Sequence, residues 1–247
     1  MSFTEQQTTL IERVTAVAEA LETAQAEIET GVSEALEKLT GTATAFYVDP
    51  TDGDDDNDGS NWSKAFLTLD AALAQAVDVY SASIYIGGNV ALERRHYGTL
   101  TNLSLYGRVP DSTTGKDILI TVSGEAINSP DTSGGQVAPG VQASGKFSAQ
   151  SSRVSFSLAG DALTGFTIKT IFHGLGGIDY IFRTGEISIA EAGAGVDFLG
   201  CFRPAPISFF VSDFTLGSNA AGCIMQDVSA GSDPNADARF RSNLTSL

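Results

Sequence analysis

Six aspartates fall within ten residues: Asp49, Asp52, Asp54, Asp55, Asp56 and Asp58. Carboxylates this dense repel one another unless cations or backbone N–H groups offset them. Asp54, Asp56 and Asp58, followed by Gly59, have the alternating oxygen-ligand spacing that opens a calcium loop. The twelfth position of such a loop is Ala65 and not the bidentate Glu, so a full EF-hand is rejected. Two readings stay open: a simpler calcium site on Asp54, Asp56 and Asp58, or a solvated Asx/Gly turn. Apart from this candidate calcium, the sequence points to no cofactor.

Cleavage of a polysaccharide needs two carboxylates facing each other across a groove. Downstream candidates are Glu125, Asp161, Asp179, Glu186, Glu191, Asp197, Asp213 and Asp227, and their spacing pairs no two of them. Arg94, Arg95, His96 and Tyr97 form the one local basic and aromatic cluster, which reads as a lyase base, a surface turn or a subunit salt bridge. His173 lies in an apolar, Gly-containing segment and reads as a structural residue. There is no Gly-x-Ser-x-Gly, phosphate-binding loop or His-rich metal motif, so no catalytic residue is assigned. Cys201 and Cys223 form no CxxC cluster and read as two small buried residues rather than a disulfide.

The elements that must position these residues begin with a heptad pattern. Leu10, Val14, Val17, Leu21, Ala24 and Ile28 follow one another in steps of 4, 3, 4, 3 and 4, and Val32, Ala35 and Leu39 continue after a stutter. The remaining faces are rich in Glu, and the stripe is narrow, which suits identical partner helices better than a globular core. Residues 10–40 are therefore expected to be a coiled-coil stalk, residues 1–9 a polar anchor segment, and Gly41 the cap.

Residues 46–80 are expected to run strand, acidic loop, helix. Phe46-Tyr47-Val48 ends at Asp49-Pro50, a turn initiator. Thr68 is a fitting N-cap with Asp70 in the first turn, and Leu69, Ala72, Leu73, Ala76, Val77 and Tyr80 share one helical face. Phe46-Tyr47-Val48-Asp49-Pro50, Gly53 to Gly59, and Lys64 to Leu69 with Ala71-Ala72-Leu73 together resemble the opening module of right-handed parallel β-helix proteins. Such modules occur in bacteriophage tail fibres and tailspikes and in some polysaccharide lyases. The resemblance covers about 35 residues. It implies that the helix carrying Leu69, Leu73, Ala76, Val77 and Tyr80 caps the open end of a β-helix.

Residues 81–247 read as short strands between Gly, Asn, Asp and Ser turns. Phe166-Thr167-Ile168, Ile187-Ser188-Ile189 and Phe214-Thr215-Leu216 look alike at spacings of 21 and 27, which suggests stacked coils with a period in the twenties. On that period Cys201 and Cys223 would sit one above the other. Gly124 to Ser152 has few large apolar residues and is expected to leave the body as a long loop.

The net charge of −16 argues against nucleic acid and anionic membranes as partners. No stretch approaches the roughly 18 apolar residues of a membrane span, and Met1 to Glu5 opens no secretory signal. Two thiols without a metal motif fit assembly in a reducing cytoplasm. The expected fold class is mainly β with an N-terminal α-helical coiled coil, as a trimeric right-handed parallel β-helix capped by a short helix. The expected object is a virion fibre or spike subunit that contacts itself, a tail, baseplate or capsid protein, and host surface glycans or proteins. A polysaccharide depolymerase on the same scaffold is the rival from another class.

Overall fold

A computed structural model of the chain describes residues 13, 15–25, 27–32, 44–122, 127–128, 136–158, 168–189, 196–201 and 205–246. It divides into two units, Met1–Thr42 and Ala43–Leu247. In the first, every described residue is helical. Val17, Leu21, Ile28 and Val32 of the heptad stripe keep 59–66% of their surface exposed there, and Ala24 is exposed too. Leu10, Val14, Ala35 and Leu39, like the polar lead 1–9, lie outside the described residues.

The second unit is mainly β, and its large sheets are parallel. One column stacks β1 (Thr44–Val48), β2 (Ser81–Ile86), β5 (Asn102–Gly107), β10 (Phe147–Ser152), the first half of β13 (Ile178–Ile189), the first half of β15 (Ile207–Leu216) and β16 (Phe240–Ser242). A second stacks β3 (Val90–Leu92), β6 (Ile118–Val122), β11 (Val154–Leu158) and the later halves of β13 and β15. A third stacks β4 (Arg95–Gly98), β9 (Gly140–Ala143), β12 (Thr170–Gly174) and β14 (Asp197–Cys201), with Met225 bridged to Leu199. Because β13 and β15 each pass from the first column into the second, the large sheet is strongly curled. This is compatible with a parallel β-helix-like fold.

Alternation along each strand explains which side chains fill the interior. In β2, Ala82, Ile84 and Ile86 are buried while Ser81, Ser83 and Tyr85 face out, and β5 and β6 alternate in the same way. Stacking in register places Phe147, Ile178, Ile207 and Phe240 above one another. Phe156, Phe172, Tyr180, Phe182 and Phe198 form a fully buried aromatic cluster, with ring centroids of contacting pairs 4.9–6.4 Å apart. Each such ring removes enough apolar surface from water to contribute roughly 1.5–3 kcal/mol.

Three expectations need correcting. Ala82, Leu103, Ala149, Tyr180 and Phe209 are successive register partners, so the steps are 21, 46, 31 and 29 residues, with no constant period. Only the strands are held to a register; the surface connections between them vary freely in length. Ile187, not Ile189, is the partner of Leu216, and Phe166 and Thr167 lie outside the described residues. Second, residues 136–152 do not leave the body. They include β8 (Gln136–Val137), antiparallel to β7 (Ile127–Asn128), and then β9 and β10 of the main columns. The small side chains belong there because the space is filled by others: Ala149 lies between Leu103 and the Tyr180 ring. Third, the helix expected to carry Tyr80, α1, runs Leu69–Ala76 and ends at Val77, so Tyr80 lies beyond it and is 38% exposed.

The N-cap and the buried face expected of this helix are present within this unit. Thr68 Oγ1 accepts from the Ala71 N–H at 3.1 Å, and Leu69, Ala72, Leu73, Ala76 and Val77 are buried. Gly59 has φ +67°, and a Cβ there would lie 2.1 Å from the Phe66 ring. Gly59→Ala is expected to lower stability by about 2 kcal/mol or more, read from denaturant midpoints. Gly145→Ala, where a Cβ meets nothing within 4 Å, serves as the neutral comparison.

Candidate functional site

Four carboxylates of the acidic loop, Asp49, Asp54, Asp55 and Asp58, accept backbone N–H groups. Asp49 Oδ1 accepts from Thr51 at 3.0 Å, Asp54 Oδ1 from the Asp56 N–H at 3.0 Å, and Asp58 Oδ1 from the Ser60 N–H at 2.9 Å. Asp55 takes the Thr68 N–H and hydroxyl at 2.8 Å each, which fixes the start of α1. Hydrogen bonds from Ser60, with Lys64 adding its charge at 3.3 Å, hold the Asp58 carboxyl down at about 2. Among the described residues no three His, Cys, Asp or Glu side chains are arranged to hold a metal, so Asp54, Asp56 and Asp58 are not brought together as one ligand set.

The basic cluster is internal. His96 Nε2 lies 2.7 Å from Asp70 Oδ1, with His96 buried and Asp70 partly so, and the same Asp70 carboxylate accepts the Glu93 and Arg94 N–H groups. This ties α1 to β4. Arg95 is buried and donates to the Ala138, Thr170 and Ile171 carbonyls, and burial lowers its pKa to about 10. Gly140 leaves room for that reach: a Cβ there would lie 2.0 Å from the Ile171 oxygen. Neither a surface turn nor a subunit salt bridge describes Arg95 or His96.

The outward face of the first column is built differently. Tyr47, Tyr85 and Tyr106 are register partners, with centroids 5.2 and 5.4 Å apart, and Trp62 packs edge-on to Tyr47 at 5.0 Å. Beside this ladder Ser81, Asn102, Ser104, Ser148, Gln150 and Ile181 line a groove of about 310 Å³. Gln150 Nε2 donates to Ser104 Oγ at 2.8 Å and to Tyr106 Oη at 3.0 Å. The sequence reading missed these tyrosines. The signal was present as Phe-Tyr-Val, Ile-Tyr-Ile and Leu-Tyr-Gly, each with Tyr next to an inward apolar residue.

A second feature lies on the third column, a cavity of about 280 Å³ lined by Lys169, Thr170, His173, Asp197, Cys201, Gln226 and Asp227 among others. Tertiary structure thus brings together Asp197 and Asp227, which the sequence could not pair. Burial, reinforced by Asp227, pushes Asp197 up to about 6, against the opposing charge of Lys169. Burial and the Arg95 charge bring His173 down to about 4, and its Nδ1 lies 2.9 Å from Thr170 Oγ1. Cys201 and Cys223 are free thiols, and they do not stack. Leu199 pairs with Met225, a step of 26 residues, whereas the cysteines are 22 apart. Asp179, Glu186 and Asp213 belong to β13 and β15; Glu125, Asp161 and Glu191 lie outside the described residues.

No family model, curated protein or solved structure matches this chain. Among the described residues no helix is long and apolar enough to cross a membrane.

The two perturbed groups of the cavity act on stability in opposite directions. Neutral His173 contributes stability above its unfolded pKa of 6.5 that is lost as pH falls towards 4. Protonated Asp197 contributes stability below its unfolded pKa of 3.8 that is lost as pH rises through 6. Between pH 4 and 6 the slopes oppose. Asp197→Asn is expected to raise stability at pH 7.5 by on the order of 1–3 kcal/mol and to leave a variant that weakens steadily on acidification from pH 6.5 to 4. Thermal melts across this range check both signs. For the acidic loop, melts in EDTA and in millimolar calcium are expected to coincide, because backbone donors already occupy one oxygen each of Asp54 and Asp58.

Proposed function

We propose that the chain is a subunit of a virion fibre or spike, foremost a tail fibre, that attaches the particle to host surface glycans or proteins. In this reading the second unit is a right-handed parallel β-helix closed at its start by α1. The first unit is the α-helical coiled coil of a homotrimer, and residues 1–9 anchor it to a tail, baseplate or capsid protein. One observation carries the proposal. Val17, Leu21, Ile28 and Val32 leave an apolar stripe in water on an otherwise polar helix, a surface that identical helices bury at heptad spacing. The groove and tyrosine ladder supply the contact surface that such a subunit needs.

The cavity holding Asp197 and Asp227 supports a second reading, a polysaccharide hydrolase. A carboxyl that stays protonated to about pH 6 beside a second carboxylate has the asymmetry of a general acid and its partner. Incubation with capsule or lipopolysaccharide separates the two: an attachment protein leaves the chains intact. Shortened chains, lost on Asp197→Asn, would replace the first reading by the second.

The intact protein is expected to have the mass of a trimer by light scattering, and Leu21→Asp with Ile28→Asp to release monomers with a folded β-unit. A monodisperse wild-type monomer removes the stalk. Labelled protein is expected to bind intact cells of a susceptible host, and its absence from every strain of a panel removes the attachment role.

A further inference from the structure

We propose that the outward face of the first column binds an acidic polysaccharide of sparse charge, with Arg108 and Arg183 holding its carboxylates beyond the C-terminal end of the Ser104–Gln150 groove. The proposal rests on the attachment reading above and names the ligand class.

The chain carries a net charge of −16, yet this face departs from it. The carboxylate in its outward rows, Asp179, is paired with Lys146 at 2.6 Å. Arg108 lies 4.9 Å over the Tyr85 ring and 5.9 Å from the Tyr106 ring, and donates to the Thr113 carbonyl at 3.0 Å. Arg183 is exposed and directed by Gln150 Oε1 at 3.4 Å. Among the described residues neither arginine has a carboxylate within ion-pair distance. A guanidinium held by rings, carbonyls and amides keeps its charge and its planar fork for an external anion.

The spacing restricts the ligand. Arg108 follows β5 with its guanidinium over the Tyr85 ring of β2, and Arg183 reaches from β13 to Gln150 of β10, so the two charges stand roughly 10–15 Å apart. A nucleic acid, with a charge at about every 1.7 Å of duplex, would meet the acidic remainder of the chain. A polymer charged once in every two sugars would present carboxylates near the arginines and neutral hydroxyls along the rest of the face. Towards the start of the same strands the groove offers the hydroxyl and amide groups of Ser81, Asn102, Ser104, Ser148 and Gln150. At physiological salt the distant carboxylates are screened beyond about 8 Å. An acidic peptide fits less well, since β2, β5 and β10 each have parallel neighbours on both sides and offer no open edge for strand addition.

The test uses the full-length protein and three probes in affinity electrophoresis: hyaluronate (one carboxylate per disaccharide), neutral dextran and poly-glutamate. Hyaluronate is expected to retard the protein, less so as salt rises, and dextran to have no effect. Arg108→Gln and Arg183→Gln should each weaken the hyaluronate interaction at least about fivefold, with unchanged melting curves showing that both variants fold. Equal retardation by dextran, no retardation by hyaluronate, or full retention by the double variant overturns the proposal. Poly-glutamate binding as tightly as hyaluronate overturns it in favour of an acidic protein partner. Cell binding keeps the two readings apart: a double variant that still binds cells leaves attachment standing and removes only this ligand class.

Discussion

Tyr47 and Asp49 donate their backbone N–H groups to the carbonyls of Gly59 and Phe66, and Phe66 donates back to the Tyr47 carbonyl. The outer edge of β1 is therefore hydrogen-bonded from within its own chain. Every later strand of the first column inherits its register from β1 through β2, so an open edge here would invite pairing with a foreign strand. The acidic loop serves this closure. Its glycines allow the approach to Phe66, its aspartates satisfy the amides of the turns, and Asp55 carries the same network on to the N-cap of α1. Asp70 and His96 then join that helix to the third column.

The interior depends on complementary volumes along each row rather than on repetition of one residue type. Aromatic rings gather around Phe172, Tyr180 and Phe198, and the rows near them admit Ala143, Ala149 and Ser151. Polar groups inside this stack are few and consequential. Arg95 brings a cation into the interior, paired with no carboxylate among the described residues, and is held by carbonyls of neighbouring turns. That charge, together with burial, is what keeps His173 neutral. The Ser151 and Tyr180 hydroxyls are near enough to interact, but neither completes a hydrogen bond of good geometry. They are a local weakness in an otherwise apolar core.

Acidity therefore has two separate meanings in this chain. Between Asp49 and Asp58 it is local chemistry, carboxylates serving as backbone acceptors. Over the molecule as a whole it is a field opposing other polyanions, from which the outward face of the first column is set apart by its serines, amides, tyrosines and unpaired arginines. The cavity around Asp197 and Asp227 is a third case. There burial, reinforced by the Asp227 charge, holds Asp197 protonated up to about pH 6.

Local pattern determined much of the architecture. Alternation identified Ser83–Ile86, Leu103–Tyr106, Ile118–Val122 and Val154–Leu158 as strands, and Thr68 with Leu69, Leu73 and Ala76 identified the capping helix and its buried face. These depend on neighbours within one strand or one turn, and such information is complete in the sequence. The short strands β3, β4, β12 and β14, and the interior place of residues 136–152, depend on partners 20 to 50 residues away. No local period announces those partners because the connections differ in length. For the same reason only tertiary structure decided that Asp197 meets Asp227, that Cys201 and Cys223 stay apart, and that three separate tyrosines form one ladder. The sequence by itself determined the longer alternating strands and the helix after the acidic loop; the register between strands decided the groove, the tyrosine ladder and the Asp197–Asp227 cavity.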